Sequence, residues 1–207
     1  RRIGDLAGLP REIPTRRWGV NGLLLWLNAQ GIDYSTLDPG GPAARKGVGH
    51  SATLPRDYYS RQEIETVLLE LTGEVCFRAR TLGKMGSTVH VYCRGADFER
   101  PFAFSRQKKL PEPSAAVSGV YPTARRLFRR HWDGLPVRAL GITLSGLTDR
   151  RCYQLSLFGR REAADSLSAA ADEIRERFGP TALFRAASLT AGGQLFNRAH
   201  LIGGHEK

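Results

Sequence analysis

The chain is poor in the residues that build metal centres, disulfide frameworks and membrane spans. Its 207 residues hold three cysteines, Cys76, Cys93 and Cys152, an odd number without CxxC spacing, which argues against both a disulfide framework and a zinc site. They read as reduced and mostly buried thiols. The one methionine is Met85 and the chain opens on Arg1-Arg2, so the expectation is part of a longer polypeptide whose remainder could hold the chemistry. No run approaches the roughly 18 apolar residues of a transmembrane helix, the densest being Leu23 to Leu27. A membrane partner and a secretory signal are therefore not expected, and the reading is a soluble, cytoplasmic protein.

Acidic residues are also in short supply, 20 against 31 Lys and Arg, which leaves a net charge of +11. An excess of this kind points to a polyanionic partner. Most of it falls in residues 42–149, with 17 basic and 10 acidic side chains. The acidic residues Glu63, Glu65, Glu70, Glu74, Asp172, Glu173 and Glu176 are scattered over helical stretches, with no Asp-x-Asp and no acidic pair on a strand of the kind that holds two divalent ions about 4 Å apart. They read as solvated helix positions. The five histidines show neither metal-ligand spacing nor a matching serine and aspartate, so no nucleophilic triad can be chosen. Gly40 to Gly47 lacks the G-x-x-x-x-G-K-[ST] frame of a phosphate loop.

What is present is periodic. Residues 1–35 read as short helices, with Trp18 to Gly22 as a turn, and Asp38-Pro39-Gly40-Gly41-Pro42 marks a linker over 36–47. A short strand is expected at His50–Leu54. Ser60-Arg61-Gln62-Glu63 fits a capping box, opening a helix to about Arg80 whose apolar stripe is Ile64, Val67, Leu68, Leu71 and Val75. Residues 87–95 alternate, Val89, Val91 and Cys93 against Thr88, His90, Tyr92 and Arg94, as a strand with one wet face does. Phe102–Lys109 completes a hairpin, a second helix spans about 115–132, and Val137–Leu144 adds a fourth strand. The order βαββαβ over 48–149 predicts an α+β, ferredoxin-like domain, four strands backed by two helices. One sheet face is left open. Residues 150–207 form an extension with a helix over about 162–178, a possible strand at Ala182–Leu189 and a loosely held end from Ala191.

Basic and hydroxyl side chains on an open sheet face suit phosphate oxygens without reading sequence. The candidates are Lys46, Ser51, Thr53, Arg94, Arg106, Lys108 and Lys109. Arg125, Arg126, Arg129 and Arg130 fall on the second helix, away from the open face, and read as solubility charge.

Several stretches together resemble the C-terminal half of Y-family translesion DNA polymerases of the impB/mucB/samB kind found in Gram-positive bacteria. Ile3 to Ala7, Arg17 to Gly22, Leu25-Trp26 and Gly31 to Asp33 resemble the end of that family's helical thumb, while Arg45-Lys46, Gly49-His50-Ser51, Thr53-Leu54-Pro55, Gly86 to Asp97 and Ile142 to Leu147 resemble its little finger. Where the family often has Ser after Arg-Lys, this chain has Gly47. The resemblance implies translesion synthesis in DNA damage repair, with primer-template DNA as partner and the little-finger sheet against the duplex. It also implies that the catalytic carboxylates and their two Mg ions belong to a palm upstream, so no catalytic residue and no cofactor is expected in this chain. Gln154-Leu155-Ser156-Leu157-Phe158 resembles the pentapeptide by which bacterial polymerases bind the sliding clamp: an amide at a pocket rim and two apolar anchors. The same residues could instead form an ordinary strand packed on the following helix. Gln194-Leu195-Phe196 is a weaker echo, read as structural. The alternative function is a stand-alone ferredoxin-like RNA-binding module, for which Tyr92 could stack on a base. A small hydrolase or transferase lacks any supporting constellation.

Overall fold

A computed structural model describes residues 2–35, 46–97, 99, 101–150, 161–199, 201–202 and 205–206. The chain divides into two compact units, residues 1–43 and 44–207. Most of the expected linker (36–45), Cys152 and the whole pentapeptide 154–158 lie outside the described residues.

The first unit holds three short helices, α1 (Ile3–Ala7), α2 (Glu12–Trp18) and α3 (Val20–Ala29). The turn before α3 is narrower than expected. Gly19 alone makes it, at φ +60°, and Val20 already begins the helix. Gly22 sits where α3 crosses α2, and a Cβ there would lie 1.9 Å from the Pro14 carbonyl oxygen, so only glycine permits this approach. The indole of Trp26 donates to the Leu9 carbonyl at 2.7 Å and the Gln30 amide to the Ala7 carbonyl at 2.6 Å, tying α3 to the first helix and its loop.

The second unit runs β1 (Gly47–Tyr58), α4 (Arg61–Thr81), β2 (Lys84–Gly95), β3 (Ala103–Ser114), α5 (Val117–His131) and β4 (Val137–Asp149). This is the expected βαββαβ order in a mixed α+β unit. The sheet is antiparallel throughout, in the order β1-β4-β2-β3. Strand β4 therefore fills the slot between β1 and β2, and the β2–β3 hairpin lies to one side. Both helices cover the same face. Ile64, Val67, Leu68, Leu71 and Val75 of α4, and Val120, Ala124, Leu127 and Phe128 of α5, meet Val89, Val91, Cys93, Leu140, Ile142 and Leu144 in one core. The two apolar stripes and the strand alternation thus account for the layers.

The strands outrun their expected limits. β1 continues to Tyr58 because its register shifts between Thr53 and Tyr58, and Pro55 falls inside that shift. β3 continues through Pro111 and Pro113 in the same way: a shift separates Lys109 from Ser114, and β3 is an edge strand. Proline is tolerated where no ladder donor is needed. The last residues of β4 pair with the start of β2, Asp149 opposite Lys84.

Three expectations about side chains are corrected. Ser60 is the N-cap of α4 but makes no side-chain cap bond, and the Glu63 carboxylate pairs with Arg56, so no capping box closes. The carboxylates on the helices are not all solvated: Glu65 receives a bidentate pair from Arg129 at 2.5 and 2.8 Å. Asp172 likewise receives Arg80 at 2.5 and 2.7 Å, with the Arg80 side chain 6% exposed. Hence Arg129 is a partner of α4 and not free charge.

The extension is a further layer. Helix α6 (Arg161–Phe178) is fixed to the end of α4 by Arg80, whose remaining arm donates to the Ala115 carbonyl at 2.6 Å. Ala182–Leu189 is no strand; its end is a 3₁₀ turn, Ala186–Leu189. Nor is the stretch after Ala191 loosely held as far as α7 (Leu195–Ala199). Gly192 presses on Glu63, where a Cβ would lie 2.6 Å from the Glu63 Cα. Gln194 is buried, its amide donating to the Tyr58 hydroxyl at 2.6 Å and its backbone N–H to Glu70 at 3.0 Å. The structural reading of the Gln194 echo is the one its geometry supports. A two-strand ladder, β5 (Leu201–Ile202) with β6 (His205–Glu206), is the last described element.

Candidate nucleic-acid interface

The face of the sheet away from α4 and α5 is built by strand alternation. Register brings four rows of side chains onto it: Gly47, Ser145, Thr88 and Lys109; Gly49, Thr143, His90 and Gln107; Ser51, Gly141, Tyr92 and Ser105; Thr53, Ala139, Arg94 and Ala103. Small residues fill the β1 and β4 columns, and larger polar ones the β2 column.

This division of sizes creates a shallow depression of about 340 Å³ over Gly49, Ser51, His90, Tyr92, Gly141 and Thr143. Close packing keeps it low, since a Cβ on Gly49 would sit 2.6 Å from the Thr143 hydroxyl and one on Gly141 3.0 Å from the Ser51 Cβ. The ring of His90 and the Ser105 hydroxyl share a hydrogen bond of 2.5 Å between Nε2 and Oγ. The floor thus offers hydroxyls and an imidazole, and Arg94 and Lys109 stand exposed at opposite ends of the sheet. Neither has a carboxylate partner among the described residues, in contrast to Arg56, Arg78, Arg80, Arg129 and Arg138, each of which is paired. Unpaired cations beside hydroxyl donors can take phosphate oxygens without rearranging any ion pair.

Of the seven expected interface residues, the register brings Ser51, Thr53, Arg94 and Lys109 onto this face. Lys46 is exposed just ahead of β1. Arg106 and Lys108 are corrected: they lie opposite Val91 and Val89, on the helix-bearing side of β3 between the buried Phe104 and Leu110. Alternation alone demands this, since 106 and 108 cannot share a face with 109. Thr143, Ser145, Gln107 and Ser105 were missed. The alternation of 139–145 contained the signal, but only the pairing shows which strand stands beside it. His50 falls on the helix side of β1, where burial and then the Arg198 and Arg78 charges hold its pKa below the usual value.

The two cysteines among the described residues, Cys76 and Cys93, are buried in the apolar interior. Burial pushes Cys76 and Cys93 up to about 12, so neither is a nucleophile at neutral pH.

The fold is thus a four-stranded antiparallel sheet with two helices on one face and an open, hydroxyl-rich face with unpaired cations at its ends on the other. Residues 45–157 match the impB/mucB/samB family C-terminal domain, more than half of the chain, and the chain belongs to that family of Y-family DNA polymerases. It is 51% identical over 206 residues to a Bacillus subtilis protein named DNA polymerase IV 2, covering 99% of this chain and 50% of the relative. The figures are 46% over 207 residues for DNA polymerase IV 2 of Halalkalibacterium halodurans, covering 100% and 51%. A third relative, the putative UV-damage repair protein UvrX of Bacillus subtilis, is 36% identical over 205 residues, 99% of this chain and 49% of its own length. The chain spans about half the length of these curated relatives. Among the described residues no helix is long and apolar enough to cross a membrane.

Proposed function

We propose that this chain grips primer-template DNA by its backbone for a translesion DNA polymerase and is tethered to a sliding clamp through Gln154-Leu155-Ser156-Leu157-Phe158. The observation that carries the DNA reading is the open face, where Ser51, Thr53, Thr143, His90, Arg94 and Lys109 present donors in register and no ion pair must break to free them. Hydroxyls and cations hold phosphates wherever the duplex is placed, which suits synthesis past damaged bases because the grip does not depend on base identity. A weak grip of this kind gains from a tether, which raises the local concentration of DNA ends. The clamp reading rests on the pentapeptide itself. Among the described residues no group of three or more His, Cys, Asp or Glu side chains could hold a metal ion, and no step of nucleotidyl transfer is assigned to them.

The test is a titration of the chain against primed DNA and, separately, against a bacterial sliding clamp. Salt-sensitive DNA binding is expected, and Arg94→Gln with Lys109→Gln should lower the slope of log K against log salt by roughly 2, at about 0.9 per duplex phosphate contact. An unchanged slope would remove those residues from the DNA face. Leu157→Ala with Phe158→Ala should weaken clamp binding by about 2 kcal/mol or more while the thermal melt stays cooperative. Loss of the cooperative melt would favour a core role for the pentapeptide.

A further inference from the structure

Arg106 and Lys108 are cations in search of a role once register removes them from the open face. Both are exposed, and neither has a carboxylate partner among the described residues. The helix beside them is equally one-signed. Together β3 and α5 carry seven Lys and Arg residues and a single carboxylate, Glu112. Two of the seven are engaged elsewhere: Arg129 by Glu65, and Arg125 over the Tyr121 ring at 5.8 Å.

Helix α5 lies along β3. Phe104 meets Phe128 and His131 at ring distances of 6.5 and 5.9 Å, and at the other end Gly119 lies against Ser114. On this helix Tyr121 and Arg129 point to α4, with bonds to Glu65, while Val120, Ala124 and Phe128 enter the core. At 100° per residue Arg126 and Arg130 fall on the remaining stripe, turned from both. They are exposed and without ion-pair partners among the described residues. Each pair repeats at a short interval, about 5–6 Å for the helical i, i+4 pair and about 7 Å for the i, i+2 pair on the strand. Those intervals match the spacing of neighbouring phosphates along a nucleic-acid strand.

We propose that single-stranded DNA continuing from the duplex on the open face passes round the β3 edge and lies along Arg106, Lys108, Arg126 and Arg130. This rests on the DNA reading given above. The edge is available, since β3 has no neighbour on its outer side among the described strands. Stiffness selects the form of the DNA: a duplex, with a persistence length of about 150 base pairs, cannot follow a surface that turns over one strand's edge, whereas a single strand can. The two faces of the sheet thereby take two forms of one substrate.

The test compares this chain on a blunt duplex and on the same duplex with a single-stranded extension. In the unsubstituted chain the extension is expected to tighten binding and steepen the salt slope. Arg126→Gln with Arg130→Gln should flatten the slope on the extended DNA by about 1.4, at 0.7 per single-strand phosphate contact, and leave blunt-duplex binding unchanged. Arg106→Gln with Lys108→Gln should do the same from the strand side. No gain from the extension in the unsubstituted chain, or equal losses on both DNAs in the variants, would overturn the proposal. Gain from the extension without blunt-duplex binding would instead overturn the open-face reading and leave the single-strand track standing.

Discussion

The two faces of one sheet are made from alternate residues of the same strands, yet they obey different rules. On the helix side Val89, Val91, Ile142 and Leu144 are essentially inaccessible, and the ion pairs around the helices, Arg80 with Asp172 and Arg129 with Glu65, are closed by bidentate bonds. On the open side the neighbouring residues are mostly glycine, serine and threonine with His90 and Tyr92, and Arg94 and Lys109 have no carboxylate partner among the described residues. Stability is concentrated on one side and unsatisfied binding capacity on the other. A sheet of this kind can change its ligand contacts without touching its core, because each substitution reaches only one face.

The sharpest way to break that comparison is to attack the closed side through its charges. Asp172→Ala strands Arg80 in a buried site and should cost about 3–5 kcal/mol, read as a fall in the denaturant midpoint; a loss below about 1 kcal/mol would mean that Arg80 finds water. Adjacent residues of β4 provide the next test. Ile142→Ala should cost about 2–4 kcal/mol by cavity formation, whereas Thr143→Ala, one residue on, should stay within about 0.5 kcal/mol and weaken DNA binding only. Equal effects of the two on stability would mean that the open face is covered by something else. The smallest effect belongs to the thiols. Cys76 and Cys93 ionise near 9.0 when unfolded and at about 12 when folded, so the unfolded state releases these protons first. Their contribution to stability is complete below pH 9 and is lost as pH rises toward 12, and a thiol reagent at pH 8 should label them only after unfolding.

The layers were legible in the sequence because periodicity reports burial directly: the α4 stripe and the alternation of 87–95 needed no partner to be read. Pairing partners are not legible in this way. The charge run Arg106, Lys108 and Lys109 looks like one patch along the sequence, but alternation sends Lys109 to the open face and the other two to the helix side. The extension escaped for a different reason. Gln194 looks like an ordinary polar residue near a glycine pair, and its long-range partners, the Tyr58 hydroxyl 136 residues away and the Glu70 carboxylate 124 residues away, show only in the folded chain. Glu63 behaved similarly: three residues after Ser60 it matches a capping box, but its carboxylate pairs with a guanidinium from β1. Long-range polar contacts leave no local trace, whereas apolar stripes do.

The position of β4 has a consequence for how the protein comes into being. As the last of the four strands to be made and a central one in their sheet, it pairs with both β1 and β2, which cannot reach each other without it. During synthesis β1 must therefore wait for about 90 residues before its partner is made, while the β2–β3 hairpin is already complete. Closing the sheet is a late, long-range event of high loop entropy, and until then the flanks of β1 and β2 are open to pairing with other chains. Substitutions that slow the arrival or docking of β4 would be felt as aggregation in the cell before they are felt as lost stability in a purified sample.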